Sequence, residues 1–264
     1  MDGLDMKDWL DGLYEKFNRR RFVHPDPLEC LYDYNDPADR EIVALIAASL
    51  AYGQVRQILK SVSDVLSRMG SSPYAYLMDE RAGRIQSDMA GFVHRFARGA
   101  HVAALLTGIR KTLKQHGSLQ QSFRVCLADD EPNIWPALCR FAETLRHGSA
   151  CGAPGHLLAC PEKGSACKRL NLFLRWMVRK DRVDPGGWPD VPAAMLIIPL
   201  DTHMFRICRK LGLTARNQPN MRTAIEITEA FRQWAPQDPV KYDFTLSRFG
   251  IRKDLAGQAD EYFA

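Results

Sequence analysis

Residues 161–213 read PEKGSACKRLNLFLRWMVRKDRVDPGGWPDVPAAMLIIPLDTHMFRICRKLGL, and this stretch decides the fold. A small-residue turn, Gly164 to Cys167, delivers Lys168 to the start of an amphipathic helix whose apolar positions are Leu170, Phe173, Leu174, Met177 and Val178. That three-four spacing is the signature of a helix with one buried face. Asp181 to Pro192 carries Pro185, Gly186, Gly187 and Pro189, so the helix stops and an ordered loop with Trp188 as an aromatic anchor follows. After Pro199 a second helix begins at Asp201, burying Met204, Phe205, Cys208 and Leu211 before Gly212.

The same period extends outward in both directions. Asp36 is a good N-cap, Pro37 suits the first helical position, and Ile42, Leu45, Ile46 and Leu50 share a side. Beyond Gly53, a further stripe from Val55 to Met69 ends near Gly70. Two more stripes, Val102 to Leu113 and Ile134 to Leu145, close at Gly117 and Gly148. A loop or short hairpin is expected between Gly148 and Gly164, and two final helices carry Ala224, Ile225, Phe231 and Trp234, then Val240, Phe244 and Phe249. Strand-type alternation of useful length is absent, so the expected class is all-α.

The 264 residues exceed one typical domain and suggest two closely packed lobes. Hydrophobic residues at 46% and charged residues at 25% are globular averages, and no apolar run is long enough to span a bilayer. Residues 1–10 mix Asp2, Asp5, Lys7 and Asp8 with apolar positions, unlike a signal peptide, so a cytoplasmic protein is expected. The seven cysteines form no C-x-x-C pair and should be reduced. His147, Cys151, His156, Cys160 and Cys167 match no standard zinc spacing, so no metal is expected. A net charge of +5 mildly favours a polyanionic partner, and Arg19 to Arg21 read as a solvated face.

Two features could carry chemistry. Backbone N–H groups at the Gly164, Ser165, Ala166 turn and the helix start after it could hold a phosphate of a DNA backbone. Asp201, followed by Thr202 and His203, places a carboxylate at a helix N-terminus, where an ordinary cap is the simplest reading. Trp176, Trp188 and Phe244 are open between pocket wall and core.

The segment PLDTHMFRICRKLGL, residues 199–213, resembles the stretch of endonuclease III and the 8-oxoguanine glycosylases in which a catalytic Asp precedes Thr-His. GSACKRLNLFLRWM, residues 164–177, resembles the hairpin and following helix of the helix-hairpin-helix DNA glycosylases, whose last loop position is a catalytic Lys. Gly164 matches the hairpin's first glycine, Lys168 the lysine and Asp201 the aspartate, while Ala166 replaces the second glycine and Pro161 lies three residues before Gly164. Lys168 precedes Asp201 by 33 residues, a long connection that resembles the archaeal 8-oxoguanine glycosylases. The whole chain also resembles an uncharacterised bacterial family of similar length, DUF2400-like.

That resemblance implies an all-α, two-lobed helix-hairpin-helix glycosylase fold with interleaved lobes, 1–35 with 200–264 and 36–199, the latter holding the hairpin at 161–168. It implies a base-excision glycosylase with AP lyase activity that removes an oxidised purine, best 8-oxoguanine, from double-stranded DNA as a monomer without cofactor, the alternatives being a glycosylase for other damaged bases and a non-catalytic helix-hairpin-helix DNA- or RNA-binding protein. Lys168 would attack the sugar as a neutral amine, aided by desolvation or by Arg169, and Asp201 would stabilise positive charge on the sugar. Gly164, Ser165, Ala166, Arg169 and His203 would contact DNA. Gln54 and Arg56, after Ala51-Tyr52-Gly53, resemble the loop whose Gln or Asn enters the duplex when a base is flipped out. The four-cysteine iron–sulfur motif of endonuclease III is missing, because no cysteine follows Cys208.

Overall fold

A computed structural model describes residues 3–79, 83–147 and 154–256. The protein is mostly helical among these residues. It divides into two compact units, one formed by Met1–Pro25 with Lys163–Ala264 and the other by Asp26–Glu162.

The chain opens with α1 (Gly3–Phe17), which buries Leu10, Leu13 and Phe17. The second unit then begins with a 3-10 segment, Pro27–Asp33, that packs on the helix after it. That helix, α2 (Pro37–Leu50), is capped by Asp36, whose carboxylate accepts from Ala38 N–H at 2.7 Å. It is buried along nearly its whole length and forms the centre of this unit. Its first turns also supply caps for other helices. Asp39 accepts from Tyr74 N–H and the Ser72 hydroxyl at the start of α4 (Pro73–Met78), which follows α3 (Val55–Met69).

After α5 (Arg84–Asp88) comes a short antiparallel hairpin, β1 (Val93–His94) and β2 (Ala97–Arg98). The long helix α6 (Gly99–His116) packs against α4, α5 and the last two helices of the unit, α7 (Leu119–Cys126) and α8 (Trp135–His147). Glu41 of α2 is buried and accepts from Leu119 and Gln120 N–H at 2.7 and 3.0 Å, satisfying the first donors of α7. Gly108 lets α6 approach α8, since a Cβ there would sit 2.1 Å from the Leu145 carbonyl oxygen. The hairpin lies outside the purely helical expectation, because two residues per strand are too few to alternate visibly. Of the loop expected between Gly148 and Gly164, residues 154–163 form two 3-10 turns, and residues 148–153, with Cys151, lie outside the described residues.

In the first unit, α9 (Lys168–Val178) follows the small-residue turn, and the Asp181–Pro192 loop folds back on its C-terminal end. Gly186 and Trp188 N–H donate to the carbonyls of Trp176 and Met177 at 3.1 and 2.8 Å. The unit closes with α10 (Thr202–Lys210), α11 (Met221–Arg232), α12 (Asp243–Ile251) and α13 (Lys253–Ala256). Trp176, Trp188 and Phe244 are fully buried, so all three are core and none is a pocket wall. Phe173 meets Trp188 edge-on at 5.1 Å.

The unit boundaries fall at 25 and 162, where the sequence suggested 35 and 199. The reason is local. Gly164 O accepts from Met221 N–H, Ser165 bridges to Asn220, and Arg175 pairs with Asp243, so the turn and α9 fold with the C-terminal helices. At the other boundary, Pro27–Asp33 packs on α2 and α3.

Two arginines of α9 and its C-terminal end hold this unit together. Arg175 pairs with Asp184 at 3.1 Å and with Asp243, while Arg179 pairs with Asp184, with Asp181 at 2.8 Å and with Asp238 at 3.0 Å. Asp181 also accepts from Tyr14 and Asn18, which ties α1 to the loop. Burial pushes the Asp184 and Asp243 carboxyls upward, and Arg175 opposes it at both.

A second tie to α1 is Asp11. Burial opposes its ionisation, but Lys241, Lys7 and the Tyr242 hydroxyl outweigh it and hold the carboxyl down at about 2. A depressed folded-state carboxyl stabilises the fold above the ordinary Asp range near ~3.9 and loses that contribution as pH falls toward the folded value. Asp11→Asn is therefore expected to flatten the dependence of Tm on pH between about 4 and 2, measured by thermal melts across that range. An unchanged slope would mean that Asp11 contributes none of it.

Candidate active site

The turn before α9 is built to present Lys168. Gly164 has φ +77°, a conformation glycine adopts freely. Cys167, directly before the lysine, is a buried non-glycine residue at φ +46° and ψ +38°. A left-handed residue of this kind costs on the order of 1–2 kcal/mol and persists only where its surroundings enforce it. The enforcement is visible. Asn171, fully buried one turn into α9, donates from Nδ2 to the Ala166 carbonyl at 3.0 Å, and its own N–H donates to the Cys167 carbonyl at 3.0 Å. Asn171 is thus the residue that fixes the turn, and sequence reasoning missed it because a buried Asn on an apolar helix face has no distinctive spacing.

Lys168 Nζ lies 3.0 Å from Asp201 Oδ2, with side-chain exposures of 34% and 18%. The aspartate's two oxygens divide their work. Oδ1 accepts from His203 and Met204 N–H, both at 2.9 Å, and so caps α10, leaving Oδ2 for the lysine. The cap reading and the pairing with Lys168 are therefore both realised by one side chain. Burial raises the Asp201 carboxyl, but the charge of Lys168, the Met204 N–H, the lysine hydrogen bond and the nearby His203 outweigh it, and the group sits below the ordinary carboxylate range. At neutral pH it is an anion. Burial pushes the Cys208 thiol and the Asp243 carboxyl upward, and the Asp201 charge adds a smaller push in the same direction.

The other residues singled out by sequence fall in four places. Gly164 and Ser165 are exposed at the turn, Ser165 accepting from Cys167 N–H at 3.3 Å, whereas Ala166 is buried and offers only its backbone. Arg169 is half-buried on the first turn of α9. His203 is exposed and rests against α12, where a Cβ on Gly250 would come within 2.7 Å of its ring. Gln54 and Arg56 are exposed at the start of α3, in the unit formed by Asp26–Glu162.

Among the described residues the six cysteines at 30, 126, 139, 160, 167 and 208 are free thiols, and no group of three or more His, Cys, Asp or Glu is arranged to hold a metal ion. No described helix is long and apolar enough to cross a membrane. Comparison with curated proteins and with solved structures finds no match. The model of one family, described as a protein of unknown function (DUF2400), matches residues 26–252, and the chain belongs to that family.

Proposed function

We propose that the protein is a DNA base-excision glycosylase with AP lyase activity, in a two-lobed helix-hairpin-helix fold, acting on an oxidised purine with 8-oxoguanine as the best single substrate. The observation that carries this reading is the Lys168–Asp201 pair at 3.0 Å, in which a lysine from one helix start meets a carboxylate from the next.

The chemistry follows from the charges. As the bond between the base and C1′ breaks, its electron pair leaves with the base, which takes up a proton, and positive charge develops on the sugar. An ionised Asp201 stabilises that charge electrostatically, and its lowered carboxyl suits this role better than that of a proton acceptor. Lys168 Nζ gives a proton to the departing base and, as the neutral amine, bonds to C1′; an N–H proton then passes to the ring oxygen as the C1′–O bond breaks and the sugar opens to a Schiff base, and water takes a C2′ proton as the 3′ phosphate leaves and the strand is nicked. Gly164, Ser165 and the first turn of α9 with Arg169 hold the DNA backbone beside the amine, and His203 takes a neighbouring phosphate. Gln54 and Arg56 fill the vacancy left by the extruded base. The partner is double-stranded DNA bound by a monomer in the cytoplasm, associated with the nucleoid.

Because Asp201 also caps α10, a protein that binds DNA or RNA through the hairpin without chemistry would use the same pair structurally. Base release separates the two. Purified protein with a labelled duplex carrying one 8-oxoguanine is expected to release the base and nick the strand at the lesion. A panel of other oxidised and alkylated bases covers a different pocket preference. Binding with no release from any lesion would remove the glycosylase reading.

A further inference from the structure

The β1–β2 hairpin of the Asp26–Glu162 unit presents an aromatic ring to solvent. Its two-residue turn is Arg95-Phe96, and Phe96 is 71% exposed, with Val93 58% exposed nearby. Such a tip usually carries glycine where φ is positive, yet Arg95 holds φ +52°, a costly conformation for a side-chain-bearing residue. The Arg95 side chain lies against Gly53, where a Cβ would stand 2.8 Å from both its Cδ and Nη1.

The base of the hairpin is locked as well. The buried His94 pairs through Nδ1 with the Ser61 hydroxyl at 2.9 Å and through Nε2 with the Tyr52 carbonyl at 3.1 Å, and Tyr52 donates its hydroxyl to the His94 carbonyl at 3.0 Å. Phe96 rests edge-on against His156, 6.3 Å between centroids. An exposed aromatic is thus held on a rigid tip by strained backbone.

Beside it, a groove of about 410 Å³ runs between α3 and the hairpin, lined by Gln57, Lys60, Ser61, Asp64, Val93 and Arg95 among others. Its acid, Asp64, is taken by Arg68 through two hydrogen bonds at 2.9 and 3.1 Å. Lys60 and Arg95, and Arg56 one turn before Lys60, are exposed and have no carboxylate partner among the described residues. Arg98 is exposed across from Val93, its guanidinium donating to the carbonyls of Arg95 and Ala97. Among the described residues the large apolar side chains exposed here are Phe96 and Val93, far below the ~800 Å² per partner of a stable protein interface, whereas the excess of cations fits phosphates.

We propose that this hairpin is a stacking platform for an unpaired nucleobase of a single strand, with Phe96 under the base and Lys60 and Arg95 on the flanking phosphates. The site makes the protein a reader of single-stranded nucleic acid, and it depends on no chemistry at Lys168.

The test is binding of the full-length protein to a labelled short oligothymidylate, to the corresponding oligouridylate and to an undamaged duplex, at several salt concentrations. A single strand of at least one sugar type is expected to bind more tightly than the duplex. Phe96→Ala is expected to weaken single-strand binding by roughly 5- to 150-fold, as loss of one base–aromatic stack does, while Phe96→Trp retains it. Lys60→Ala is expected to reduce the slope of log affinity against log salt by about 0.7. Phe96 is exposed, so its variants should melt like the parent, which thermal denaturation checks. Absence of single-strand binding, or wild-type affinity in Phe96→Ala, overturns the proposal. Failure of base release at Lys168 leaves it standing, since undamaged oligonucleotides are read by binding alone.

Discussion

Asp201→Asn is expected to slow base release by about 10²- to 10³-fold, the cost of removing one preorganised charge that faces the transition state, while leaving the melting temperature close to that of the parent. The separation of the two effects comes from how the side chain is used. Asn caps a helix as well as Asp does, so its amide oxygen can still accept from His203 and Met204 N–H. What it cannot do is carry the anion that faces Lys168 Nζ at 3.0 Å. Lys168 is one-third exposed and can turn to water when its partner is neutralised, so little folding energy should be lost. Asp201→Ala is the companion variant, and it should cost about 1 kcal/mol more stability through loss of the cap. Single-turnover base release and thermal melts on the same preparations make the comparison. An Asp201→Asn enzyme that releases base at the parental rate would show that the carboxylate serves only α10.

Arg175→Ala is expected to destabilise the protein by about 3–5 kcal/mol, because it removes the counter-charge shared by two fully buried carboxylates. Asp243 loses its arginine, and Asp184 keeps only Arg179. For chains of this size that corresponds to a fall in Tm on the order of 10 °C. Most of the loss is the penalty of an unpaired buried charge, so a compensating Asp243→Asn placed on Arg175→Ala should recover part of it. Denaturant unfolding of the two single variants and the double variant measures the coupling. Additive losses would mean that Arg175 and Asp243 do not act as a pair.

Much of the helical layout is legible in the sequence because burial follows the helical period. Asp36, Gly53, Gly70 and Gly117 punctuate the chain where the structure starts and ends α2, α3 and α6. Lys168 and Asp201 could be picked out only through the motif they resemble, since 33 residues of separation carry no local signal that the two meet. The structure brings them together by folding α9 and α10 into one unit.

What stayed hidden has physical causes of a different kind. The Arg175 and Arg179 network joins residues as far apart as Arg175 and Asp243, and each of its charges looks like an ordinary surface group in the sequence. The β1–β2 hairpin is too short to alternate, and its turn carries Arg-Phe in place of the Gly or Asn that would have marked it. Trp176, Trp188 and Phe244 could not be assigned from composition because an aromatic residue serves a core or a pocket wall equally well, and only packing decides. The unit boundary at 162 follows from the backbone pairing of Gly164 and Ser165 with the start of α11, a contact that no pattern in either segment announces.

The most direct measurement is covalent capture: protein and a labelled 8-oxoguanine duplex are mixed with borohydride, and the adduct is sought in the wild type and in Lys168→Gln. A lesion-dependent adduct in the wild type, mapped to Lys168 by peptide mass and lost in Lys168→Gln while DNA affinity is kept, is the predicted result. An adduct of equal yield in Lys168→Gln, or none from the wild type on any lesion that it excises, would contradict the assignment of Lys168 as the nucleophile.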